Sequence, residues 1–164
     1  MKKFDIQSQV VIMCGISGSG KTHHARTLTE KGYIHLSVDA LIWDKVGADL
    51  FTMPKEEQRN LFAEYRREVC NQLVSFLISG KKVVVDSTHC RRSGRDEIRD
   101  ICTKMGVKPV FVYCHADKDE LWERLSKRKG TGPDDLIVTK EELSEYWQGF
   151  ERPQDDESDF IFLK

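Results

Sequence analysis

Gly15-Ile16-Ser17-Gly18-Ser19-Gly20-Lys21-Thr22 decides how the rest of the chain is read. Glycine at 15 and 20, followed by lysine and a hydroxyl residue, satisfies the pattern G-x-x-x-x-G-K-[ST] at every constrained position. The chemistry behind that pattern is the binding of a polyphosphate. Glycines let the main chain curl close to an anion, and the N–H groups at a helix start, at the positive end of its dipole, point toward it. Lys21 adds a mobile positive charge for the terminal phosphates, and the Thr22 hydroxyl is suited to a Mg²⁺ coordination position. Gly15, Ser17, Gly18, Ser19, Gly20, Lys21 and Thr22 are therefore the expected contacts of a nucleoside triphosphate, taken to be ATP with Mg²⁺.

Working outward, an apolar run at 10–14 precedes this loop and a helix reaching to about Lys31 follows it. Comparable runs at 33–37, 83–86, 110–114 and 160–163 alternate with longer helical segments. That alternation predicts an α/β fold, a five-stranded parallel sheet between two helical layers, with strands buried on both faces. Leu61, Tyr65, Val69, Leu73, Phe76 and Leu77 recur at three- and four-residue spacing, which predicts one long amphipathic helix ending near Gly80. Asp117 with Glu120, and Thr139 with Glu142, have the spacing of capping boxes at two further helix starts. Ser93 begins another helix that Gly106 ends. Residues 127–137 break into Lys, Arg, Gly, Thr, Pro and Asp, a composition that predicts a mobile surface loop able to act as a lid.

The chain of 164 residues suits one domain, 1–164, large enough for a core of its own. Five cysteines, widely spaced and with no C-x-x-C pair, point to a reducing, cytoplasmic setting rather than a disulfide framework or a zinc site. His23 and His24 have no second ligand pair at metal spacing. Lys2 and Lys3 are followed by Asp5, Gln7 and Gln9, which interrupt a signal-peptide pattern, and no apolar run approaches membrane-spanning length. The net charge of -1 conceals an asymmetry: residues 1–133 hold 23 Lys+Arg against 17 Asp+Glu, and residues 134–164 hold 3 against 10. A basic body suits phosphate ligands, and equally a solvated charged surface.

Asp86 closes the run Lys82-Val83-Val84-Val85-Asp86 at the carboxyl end of a strand, where open α/β sheets bind ligands, and is the expected partner of Thr22 in holding Mg²⁺. Asp39, in Ser37-Val38-Asp39, occupies the same edge. It is a candidate base for an acceptor hydroxyl, with a second reading as N-cap of a helix beginning at Ala40. Arg124 and Arg128 share one helix face beside the 127–137 loop and can clamp transferring phosphate, or pair locally with Glu120 and Glu123. Thr88, His89, Arg91 and Arg92 follow Asp86 directly and are candidate acceptor-binding residues. The alternative for the arginines, together with Arg95 and Arg99, is a charged surface.

Taken in order, the loop at 15–22, Ser37-Val38-Asp39, Val83-Val84-Val85-Asp86-Ser87-Thr88, Leu121-Trp122-Glu123-Arg124-Leu125-Ser126-Lys127-Arg128 and Phe150-Glu151-Arg152-Pro153 resemble the small P-loop kinases. That group spans polynucleotide 5′-hydroxyl kinases, zeta-toxin-like kinases and predicted ATP-binding kinases. The resemblance covers nearly the whole chain. It implies a nucleoside-kinase-like P-loop fold with a short lid, in which the strands carrying Gly15 and Asp86 are neighbours. It also implies Asp39 as general base, Lys21 and Thr22 as the loop lysine and hydroxyl, Arg124 or Arg128 as lid arginine, and Arg152 near the adenine. Polynucleotide kinases often carry an arginine shortly after the catalytic aspartate, and Ala40-Leu41-Ile42-Trp43 holds none. A small molecule or nucleoside is thus as strong a candidate acceptor as a polynucleotide 5′ end. The expected activity is transfer of the ATP γ-phosphoryl group to an alcohol, by a protein with no membrane partner. The rival classes are a P-loop ATPase and a nucleotide-dependent binding module without an acceptor. Asp86 is followed by Ser87 rather than the glutamate frequent in ATPases, which favours the kinase.

Overall fold

Strand β1 (Val10–Cys14) is buried along its full length because it lies mid-sheet with helices on both faces. The computed structural model describes residues 6–163; residues 1–5 and 164, among them Lys2, Lys3 and Asp5 of the basic start, lie outside the described residues. Beside β1 run β2 (Tyr33–Ser37), β3 (Lys82–Asp86), β4 (Val110–Cys114) and β5 (Phe160–Leu163). Their order is β2-β3-β1-β4-β5 and every pairing is parallel, as the alternation predicts. Lys82 extends β3 by one residue beyond the apolar run, paired with Tyr33.

Parallel strands need crossovers, and the helices provide them: α1 (Lys21–Thr29), α2 (Val38–Val46), α3 (Lys55–Ile78), α4 (Arg92–Lys104), α5 (Lys118–Leu125) and α6 (Lys140–Gly149). Alternate β-residues face opposite layers. Val10, Ile12, Val83, Val85 and Phe111 pack with Ile42 of α2, Leu73 of α3 and Ile98 of α4. Val11, Met13, Val84 and Val112 pack with Ala25 and Leu28 of α1. Leu121, Leu125 and Leu143 of α5 and α6 close the carboxyl end of the sheet against Tyr113 and Phe150. Met13 is level with Asp86, and Ser37 is level with Asp86 on the other side. This register brings the ends of β1, β2 and β3, with the loops that follow them, to one place.

Three local expectations change. Helix α4 starts one residue earlier than Ser93. At α5, Asp117 occupies the N-cap without a side-chain hydrogen bond, and its carboxylate lies 3.7 Å from His115 Nε2 instead. The box at α6 forms fully, with Thr139 and Glu142 exchanging both bonds. Residues 127–137 are a built loop rather than a loose one: the Asp135 carboxylate accepts from Lys129 N (3.1 Å), Thr131 N (3.0 Å) and Thr131 Oγ1 (2.8 Å). A short 3-10 turn, Pro133–Asp135, completes it. Leu136 then enters the core, and Asp134 pairs with Arg26 of α1.

Candidate active site

The loop at 15–22 encloses its own lysine: Lys21 is nearly buried and Nζ donates to the Ile16 carbonyl at 3.1 Å. Gly15 has φ 148°. A Cβ there would stand 2.4 Å from the Cys114 carbonyl oxygen and 2.6 Å from Ser19 Oγ, so only glycine leaves the loop room. The Gly15 N–H donates to Thr88 O at 3.0 Å, tying the loop to the segment after β3. Gly20, at φ 97°, is the N-cap of α1 with no side chain closing its first turn and no acidic residue in that turn. Ser19 Oγ is buried without a hydrogen-bond partner among the described residues. An unpartnered buried hydroxyl inside a glycine cradle backed by an ammonium group fits a phosphate oxygen as its missing acceptor.

Asp86 is 5% exposed and takes a contact from His35 Nε2 at 3.1 Å. Burial alone would raise its carboxyl, but the His35 hydrogen bond, the Lys21 charge and the Thr22 hydroxyl together hold it below the ordinary aspartate value. An ionised carboxylate bonded to a hydroxyl is an oxygen donor set that suits Mg²⁺.

Asp39 does not cap α2. Ser37 does, its Oγ accepting from Ala40 N at 3.1 Å, which leaves the Asp39 carboxylate open to the cleft from the first helical turn. Its outer face meets water while protein crowds the carboxyl. That crowding, reinforced by Asp86 and Asp134 and opposed by Lys21 and Arg128, pushes it up to about 6. Arg124 Nη1 donates to Gly18 O at 3.0 Å, and Arg128 Nη1 reaches Ser17 Oγ at 3.3 Å and Leu136 O at 3.1 Å. Both arginines therefore touch the phosphate loop. Arg124 keeps Glu120 as a local partner as well.

A recess of about 370 Å³ opens beside the loop, lined among others by Gly18, His24, His115, Glu120, Arg124 and Leu163. Arg152 is not among its walls. It lies over the Trp147 ring at 5.4 Å, and that ring stands 6.4 Å from His115 of the recess wall. Arg124, His24 and His115 line the recess on the loop's own side.

The segment after β3 divides. Thr88 lends its carbonyl to Gly15. His89 sits at φ 45° with Nδ1 donating to Met13 O at 2.8 Å, and burial pushes its imidazole down to about 4, so it is neutral near pH 7. Arg91 is exposed. Arg92 is paired with Asp96 and Asp156. These arginines do not form a mere charged surface, because Arg95 is fully buried against Glu157.

A family profile described as AAA domain matches residues 10–153. The chain belongs to the AAA domain family. No curated protein matches it. Among solved structures, this AAA domain is similar to a protein of Chloroflexus aurantiacus J-10-fl provisionally described as a kinase, at 20% identity and TM-score 0.76 over 94% of this chain and 86% of that one. It is similar to a sugar kinase of Janibacter sp. HTCC2649 at 21% identity and TM-score 0.70, covering 95% and 84% of the two chains. A chain of the Pnkp1/Rnl/Hen1 RNA repair complex matches at 17% identity and TM-score 0.65, over 91% of this chain and 46% of that one. At these identities the likeness is one of fold, and the fold is that of P-loop kinases. No described helix of the AAA domain is long and apolar enough to cross a membrane.

His35, Ser37, His24, His115 and Leu163 escaped the sequence reading. His35 had a usable signal: it is two residues before Ser37, so strand alternation puts it on the same face as a residue level with Asp86. The recess walls had none, because they come from separate elements.

Proposed function

We propose that this protein is a kinase that moves the γ-phosphoryl group of ATP to the hydroxyl of a small molecule. The observation that carries the reading is the Asp39 carboxylate, uncommitted to capping and raised to about 6, standing among Lys21, Arg128 and Asp86 at the mouth of the phosphate loop. In the step, the acceptor oxygen bonds to the γ-phosphorus and its proton passes to Asp39. The bond from the γ-phosphorus to the bridging oxygen breaks, and its electron pair leaves with ADP. Lys21, Arg128 and the loop amides not already bonded to main-chain carbonyls hold the charge on the transferring group, and Arg124 closes the base side. Thr22 and Asp86 would hold Mg²⁺, whose chemistry is to neutralise charge on the phosphate oxygens. The whole chain, 1–164, acts as one catalytic domain with 127–137 as its lid, in a reducing, cytoplasmic setting that suits its free thiols.

A small hydroxylated acceptor is favoured over a polynucleotide end because Arg92, Arg95 and Arg99 are already held by carboxylates. That leaves Arg91 as the exposed guanidinium of the stretch. The sugar kinase likeness agrees with such an acceptor, and the RNA repair likeness keeps 5′-hydroxyl ends as the second candidate. Label transfer from ATP across sugars, nucleosides and 5′-hydroxyl oligonucleotides tests both. With the true acceptor, Asp39→Asn is expected to keep ADP affinity and lower turnover by roughly 100- to 10,000-fold. Hydrolysis of ATP with no acceptor labelled would instead support the ATPase reading.

A further inference from the structure

We propose that Arg95, braced by Glu157, is a positioning residue that holds the 87–91 segment in the shape completing the phosphate loop. Both side chains are 0% exposed. Arg95 Nε and Nη2 donate to the two Glu157 oxygens at 2.8 and 2.7 Å, and Nη1 donates to His89 O (3.2 Å) and Glu151 O (2.9 Å). Glu157 is fixed in turn by Arg99 Nη2 at 2.7 Å and Gln154 N at 3.1 Å.

The carbonyl that Arg95 grips belongs to His89, whose φ of 45° is a conformation uncommon for any residue but glycine. The same residue is anchored through its ring to Met13 O, at the end of β1. Its neighbour Thr88 accepts from Gly15 N. A continuous line of contacts thus runs from Glu157 through Arg95 to His89, Thr88 and the first amide of the cradle, and none of these links is an apolar packing contact. A buried ion pair is weak support for stability, since two well-packed apolar side chains of similar volume often serve as well or better. What an apolar pair cannot do is donate to two main-chain carbonyls of different segments. That donation, rather than stability, is the role the geometry gives Arg95.

The test compares Arg95→Lys, Glu157→Gln and the double variant Arg95→Met/Glu157→Met in the full chain. The measurements are thermal unfolding, ADP titration by calorimetry, and hydrogen exchange at the Gly15 amide. Glu157→Gln is expected to lower Tm. The double variant should recover most of that loss, yet bind ADP about tenfold more weakly and exchange the Gly15 amide about tenfold faster, the scale of one hydrogen bond to a charged group. Arg95→Lys keeps the charge but not the fork. It should lose the same affinity with a smaller change in Tm, and it decides the matter should the double variant not fold. Native ADP affinity with a protected Gly15 amide in either variant would overturn the assignment. The affinity arm rests on the nucleotide-binding reading. Native protein that binds no ADP would remove that reading, while Gly15 exchange in the variants still tests Arg95.

Discussion

Gly15 has no substitute at its position. With φ 148° and the Cys114 carbonyl 2.4 Å from any added Cβ, both the backbone conformation and the space forbid a side chain. Gly15→Ala is expected to cost about 2–3 kcal/mol of stability through strain and forced displacement. ADP binding should fall with it, because the displaced group is the Ser19 hydroxyl that faces the same cradle; thermal unfolding and calorimetry check the two effects. Asp39 makes a prediction of its own. Its carboxyl is raised in the folded chain, so below about pH 4 both folded and unfolded forms are protonated and the residue is neutral in stability. As pH rises through about 6, ionising it in the cleft weakens the fold. Asp39→Asn should therefore raise stability at pH 7–8 by about 1 kcal/mol once water at its exposed face is allowed for, seen as a higher Tm, with the gain vanishing near pH 4. Transfer by the native protein should run the opposite way, falling about tenfold for each pH step below about 6 as the base is protonated.

Elements differ in how plainly they were written. The strands were legible because each is a short run rich in apolar residues, buried on both faces in β1 and most of β3 and β4, and four of the five keep their read bounds; β3 gained Lys82, whose pairing depends on Tyr33 of a neighbouring strand. The phosphate loop, Asp86 and the two arginines that touch the loop were legible from motif and spacing. Ser37 was not, because an aspartate and a serine two residues apart cap a helix equally well on paper, and only the backbone direction at Val38 chooses between them. The 127–137 loop read as loose because its order comes from one carboxylate, Asp135, folding back on three donors of Lys129 and Thr131 in the same loop, a pairing that composition does not announce. Capping can be checked directly at α6, where Thr139 accepts from Glu142 N at 3.1 Å and Glu142 answers at 2.9 Å. Thr139→Ala should cost about 1 kcal/mol, lowering Tm by about 2–4 °C in a chain of this size. Asp117→Ala, where the spacing is equal but no side-chain bond forms, should cost far less.

At the scale of the molecule, the excess of acidic residues after 133 acquires a structural meaning. Asp156, Glu157 and Asp159 are counter-ions for Arg92, Arg95 and Arg99 of α4, so what composition offered only as a charge imbalance is a strap across the sheet's far layer. The family match ends at residue 153, before the strap and before β5. Removing residues 154–164 would leave Arg95 buried without its carboxylate, a loss of about 3–5 kcal/mol and a large share of a typical domain's stability. Urea unfolding of the truncated chain should show that drop, or no folded protein at all.

The position of β1 has a consequence for how the molecule is made. It is made before the other four strands, yet it sits in the middle of the sheet, and Val10 must wait for Val83 and Val11 for Val110. Until those partners are synthesised, a wholly apolar strand has nowhere to go. The nascent chain is thus expected to fold late and slowly, as long-range parallel pairings do, and to lean on chaperones while its central strand stands uncovered.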